Sequence, residues 1–92
     1  GNNVGINDLE LADAVSLYPN PTEDILFVEL PSEFEIIDLT LTDMVGREIS
    51  KISVSGLSRI TIDFSSLAEG IYHINFYTLN SKATKKVVHL KK

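Results

Sequence analysis

The sequence predicts an all-β domain of six or seven antiparallel strands, in a sandwich or a barrel. From Val15 onward, short apolar segments recur at roughly ten-residue spacing, each bounded by turn residues. Several of them alternate apolar with polar residues, the period of a strand that buries one face. Composition agrees: ten Ile and seven Val in 92 residues, within a hydrophobic fraction of 43%, favour strand and exclude a disordered tail.

Residues 1–13 mix Gly, Asn and acidic residues without a sustained period, which reads as a linker from something upstream with room for a short helical turn. The opening Gly, in place of Met, is expected of an excised segment or of a residue left by cloning, and no charged-then-apolar leader precedes the first strand. That strand is Val15-Ser16-Leu17-Tyr18. Pro19-Asn20-Pro21 follows, and because proline cannot donate to a ladder the strand must stop there or lie at an edge. Residues 25–30 put Leu26, Val28 and Leu30 on one face, with Ile25 and Phe27 making the other face apolar enough to be partly covered.

Ile37, Leu39 and Leu41 alternate with Asp38, Thr40 and Thr42 in the clearest half-buried strand of the chain. Asp43-Met44-Val45-Gly46-Arg47 then turns the chain, Gly46 being suited to positive φ, into a weaker strand over residues 48–54, so strands three and four form a hairpin. Ile60, Ile62 and Phe64 face inward next, and Ser65-Ser66-Leu67-Ala68-Glu69-Gly70 turns the chain again with Leu67 plugging the core. In residues 71–78, Tyr72, Ile74 and Phe76 share the inward face. In residues 83–90 that face is assigned to Val88 and Leu90, leaving Lys85, Val87 and His89 outward. The two strands close a hairpin around residues 79–82. The fold class expected of the domain is an immunoglobulin-like antiparallel sandwich.

Charge is strongly ordered along the chain. Residues 1–46 hold ten acidic side chains and no Lys or Arg, whereas residues 70–92 hold five lysines and no acid. A net charge of −5 repels phosphate and argues against nucleic acid as a partner. Lys82, Lys85, Lys86, Lys91 and Lys92 read in two ways: as an address for a receptor, or as solvated lysines that keep a final edge strand from pairing with other chains. No apolar run approaches the roughly 18 residues of a membrane helix, so membrane insertion is not expected.

No catalytic constellation emerges. The serines sit in turns or linkers, without the strand-to-helix elbow that activates a nucleophile, and there is no cysteine. With the inward faces assigned as above, His73 and His89 become outward neighbours across the last hairpin. Two ligands fall short of the four of a closed zinc site, no acid follows Glu69, and the pair is read as solvated surface histidines. Glu23-Asp24 and Glu33/Glu35 lack the alternating oxygen ligands of a calcium hand, no glycine-rich phosphate loop exists, and no cofactor is implied.

Three patches carry a family resemblance. They are Leu17-Tyr18-Pro19-Asn20-Pro21-Thr22 leading to Asp24-Ile25-Leu26; Leu41-Thr42-Asp43-Met44-Val45-Gly46-Arg47-Glu48; and Ile62-Asp63-Phe64-Ser65-Ser66-Leu67-Ala68-Glu69-Gly70-Ile71-Tyr72, followed by Lys85-Lys86-Val87-Val88 on the last strand. In order, spacing and position this set resembles the C-terminal sorting domain of the type IX secretion system, found on exported proteins of Bacteroidota.

The resemblance implies residues 1–14 as a linker from an upstream cargo domain and residues 15–92 as the sorting sandwich. Pro19, Asn20, Pro21, Asp43, Gly46, Arg47, Gly70 and Tyr72 are then its structural motif positions. It further implies passage through the periplasm and outer membrane to the surface or medium, with the type IX machinery and a sortase-like surface peptidase as partners and cleavage upstream of Val15. Recognition is expected at the lysine-rich last hairpin, through charge and a strand edge open to β-augmentation. Two rival readings share the fold: an immunoglobulin- or fibronectin-like spacer or adhesion module, and a carbohydrate-binding accessory domain.

Overall fold

In the structure, a computed structural model that describes residues 8–91, a short helix α1 (Asp8–Ala14) precedes seven strands. These are β1 (Ser16–Tyr18), β2 (Ile25–Glu29), β3 (Asp38–Thr42), β4 (Glu48–Ser53), β5 (Arg59–Asp63), β6 (Gly70–Tyr77) and β7 (Lys82–His89). They form a three-stranded sheet in the order β1-β2-β5 and a four-stranded sheet in the order β4-β3-β6-β7, every ladder antiparallel. The fold is therefore the expected all-β sandwich, with β1 at a sheet edge and β3–β4 and β6–β7 as hairpins.

Alternation puts the core where the period predicts it. Leu26 and Val28 of β2, Leu39 and Leu41 of β3, Ile62 of β5, and Tyr72, Ile74 and Phe76 of β6 are buried between the sheets, with Phe64 just beyond β5. Leu67 is partly buried against them. On the outer side of the three-stranded sheet, Phe27 is covered by the Tyr18 ring stacked at 5.4 Å and by the Arg59 guanidinium 5.1 Å from its centroid. On the outer side of the four-stranded sheet, the Asn75 amide donates to Thr40 Oγ1 at 3.0 Å and accepts from Thr84 Oγ1 at 2.8 Å.

The last strand departs from its expected register. Tyr72 pairs with Val87, Ile74 with Lys85 and Phe76 with Ala83, so Ala83, Lys85, Val87 and His89 share the inward parity while Val88 and Leu90 face out. Val87 and Val88 are both apolar, so hydrophobicity alone does not choose between them. Lys85 and His89 occupy inward positions because each finds carbonyl partners there. The histidines are accordingly not neighbours: His73 pairs with Lys86 on the outer face, and His89 pairs with Gly70 and is fully buried.

Helix α1 packs on β7, and its Leu11 is buried in the core beside Val15. Seven residues make a helix too short to persist alone in water, so tertiary contacts stabilise it.

Candidate functional site

Asp43 builds the β3–β4 turn. Its Oδ1 accepts the backbone N–H of Val45 at 3.1 Å and of Arg47 at 2.9 Å, while Oδ2 accepts Arg47 Nε at 3.1 Å. These bonds, with the Arg47 backbone donor foremost, hold its carboxyl below the usual carboxylate range. Gly46 has φ +90, which a residue with a Cβ rarely adopts. The turn so fixed leaves two apolar side chains in water, Met44 at 67% and Val45 at 85% exposure. A one-residue bulge at Ile49 of β4, opposite the Leu41–Thr42 step, follows it.

The connection before β6 is equally specified. Asp63 Oδ1 accepts the Ser65 N–H at 2.8 Å, and the Ser65 side-chain and backbone bonds lower that carboxyl as well. The Tyr72 hydroxyl donates to the Ala68 carbonyl at 2.6 Å, closing a tyrosine corner across the turn. The Tyr72 ring meets Phe64 edge-on at 5.5 Å, and Phe64 lies 5.4 Å from the His89 ring. His89 Nδ1 sits 3.0 Å from the Thr22 carbonyl and Nε2 sits 3.1 Å from the Leu67 carbonyl, so a proton on either ring nitrogen finds an acceptor. One buried imidazole thus joins the segment after Pro21, the turn before Gly70 and the last strand.

The Pro19-Asn20-Pro21 segment, in which both X-Pro bonds are cis, lies along the outer edge of β7. Asn20 Oδ1 accepts the Val88 N–H at 3.1 Å and Asn20 Nδ2 donates to the Lys86 carbonyl at 3.2 Å. Next to it, Thr22 N–H donates to Val88 O at 2.9 Å and Leu90 N–H donates to Thr22 O at 3.0 Å. An amide side chain and one backbone residue therefore stand where a neighbouring strand would. The edge expected to be open to strand addition is closed over residues 86–90.

The second and third motif patches face each other across a groove of about 730 Å³. Met44, Val45 and Ile49 line one side, Leu67, Ile71 and Tyr72 the other, and Glu48 and Glu69 border it. Ile71 pairs with Val88, and Leu90, at 46% exposure, continues that outward face. Neither the groove nor the roles of Thr22 and His89 follow from local sequence. The signal that was there to read is the apolar Met44-Val45 pair inside an otherwise polar turn.

The four candidate lysines among the described residues do not form one patch. Lys82 sits over the Tyr77 ring at 5.8 Å at the far end of β7, and Lys91 lies about 30 Å away along the strand beside Glu23, Asp24 and Ser65. Lys86 is exposed on the outer face opposite His73. Lys85 points inward, half-buried, its Nζ donating to the carbonyls of Ala12 and Val15. Lys92 lies outside the described residues. Among the described residues no helix is long and apolar enough to cross a membrane, and no group of three His, Cys, Asp or Glu side chains is arranged around a metal site.

The family model of the secretion system C-terminal sorting domain matches residues 16–90. No curated protein matches the chain. The matched span takes in all seven strands and every motif residue described above, from Pro19 to Tyr72, together with the buried His89 that ties them to the last strand. The chain belongs to the family of C-terminal sorting domains of type IX secretion, whose role is to send a protein to the cell surface or the medium.

Proposed function

We propose that this domain is the export label of a larger cargo protein, read at the end of the sandwich where the β3–β4 turn faces the turn before β6. The observation that carries the reading is the display of Met44 and Val45. Two apolar side chains held in water by a turn with five side-chain and backbone bonds cost solubility and add nothing to the core, which marks a surface built for contact. Lys86, exposed on the outer face of β7, supplies positive charge for the encounter; Lys91 is offset by Glu23 and Asp24 beside it, and Lys82 lies farther off. Lys85 has no part in that contact, because its ammonium is already bonded.

A sortase-like surface peptidase then removes the label on the amino-terminal side of α1. The cleaved cargo is secreted or retained at the surface after crossing the periplasm and outer membrane.

The test is a fusion of residues 1–92 to a periplasm-directed reporter. The reporter reaches the surface or medium in a host with the secretion system and stays in the periplasm of the same host lacking it. Equal release from both hosts would defeat the proposal and return the domain to a spacer.

A further inference from the structure

Lys85 is an unusual residue to find on the inward face of a strand. It lies opposite Ile74, half-buried, and its Nζ donates at 2.9 Å to the carbonyls of both Ala12 and Val15, more than seventy residues earlier for the first and seventy for the second. Those carbonyls stand at the carboxy-terminal end of α1, where a helix runs short of backbone donors and carries partial negative charge; that of Ala12 also accepts the Val15 N–H at 3.3 Å. The helix has no basic residue in its own last turn. The cation that complements it is supplied by β7. Below this contact Leu11 and Val15 are buried in the core and Ala12 packs against it, so an ammonium and a small apolar face both help to hold the helix.

We infer that Lys85 makes the docking of α1 conditional on the last strand, so that the amino-terminal junction of the domain is closed to proteases only when β7 is in place. The peptide bonds of α1 and of the step into β1 are protected by a strand from the opposite end of the chain. Trimming from the amino-terminal side stops at α1 in a complete domain, and it runs on into residues 10–17 in one whose last strand is unpaired. The bearing on label removal rests on the function proposed above; the interlock itself does not. A protease of broad specificity therefore tests it without the export machinery.

The experiment compares the purified chain of residues 1–92 with its Lys85→Met and Lys86→Met variants, by hydrogen exchange and by limited digestion with proteinase K. Methionine keeps the length of the stem and removes the ammonium. In Lys85→Met the amides of residues 12–17 are expected to exchange at least about tenfold faster, the scale of losing a charge-assisted hydrogen bond. New cuts are expected within residues 10–17, while β3 and β6 keep their protection. Lys86→Met, altered on the exposed face of the same strand, is expected to match the parent. Three results would overturn the inference: unchanged exchange of residues 12–17 in Lys85→Met, loss of protection throughout the domain, or the same local loss in Lys86→Met.

Discussion

Thr22 and His89 are joined twice, by a parallel bridge between their backbones and by the His89 ring reaching the Thr22 carbonyl at 3.0 Å. The pair brings the first motif patch onto the last strand, and the second ring nitrogen, toward Leu67, adds the third patch. His89→Ala leaves a cavity beside Phe64 and Tyr72 and removes the ring's hydrogen bond to the Thr22 or Leu67 carbonyl, at a cost of about 2–4 kcal/mol; Thr22 O keeps the Leu90 N–H. His89→Phe refills the volume but not the hydrogen bond, so it should recover only part of that loss. Denaturant titration of the two variants checks the order: a Phe variant as stable as the parent would show that the ring serves only as filling.

Asn20 is predicted to guard the β7 edge. Asn20→Ala removes the acceptor of Val88 N–H and the donor to Lys86 O at an exposed site, where water substitutes in part, so the stability loss should be small, about 0.5–1.5 kcal/mol. The larger effect is on association, because the freed edge can pair with another chain. Sedimentation velocity across a range of concentrations should detect oligomers in the variant and fewer in the parent. Identical profiles would remove Asn20 from that role.

These two residues also show what was legible in the sequence. The inward faces of β2, β3, β5 and β6 could be read from alternation because Leu26/Val28, Leu39/Leu41 and Tyr72/Ile74/Phe76 have polar or half-covered neighbours between them. The register of β7 could not, since its inward polar residues are satisfied by Ala12, Val15, Thr22 and Leu67, none of them near in sequence. Helix α1 left only a hint, as a seven-residue segment is too short to display a period. Asn20 could be recognised as a motif residue, but that its amide would imitate a strand depended on where β7 runs. The groove likewise needs the strand order, which alone brings residues 43–49 against residues 66–72.

The Asp43 turn should weaken in acid. The bonds from Arg47 and Val45 favour the carboxylate and lower its pKa in the folded state, so its contribution is fully present above the ordinary aspartate value of about 4 and is lost as pH falls through the lower, folded value. Asp63 acts in the same direction through Ser65. Asp43→Asn is expected to flatten the fall in thermal midpoint below about pH 4 relative to the parent. A fall of unchanged depth would place the acid sensitivity elsewhere.

Gly46 separates the shape of the turn from the surface it presents. Gly46→Ala puts a Cβ on a residue at φ +90 with open space around it, so the cost is backbone strain of about 1 kcal/mol, not a clash. The turn should loosen and the fold remain. Met44→Asp with Val45→Asp makes the complementary change: both side chains are well exposed, so the thermal midpoint should stay within a few degrees of the parent. If the groove is what the export machinery reads, the double variant fused to a reporter stays in the periplasm despite its intact fold. Gly46→Ala, whose apolar pair is retained on a looser turn, is exported at a reduced rate. Full export of the double aspartate variant would move recognition away from this groove and toward the outward face of β7 around Lys86.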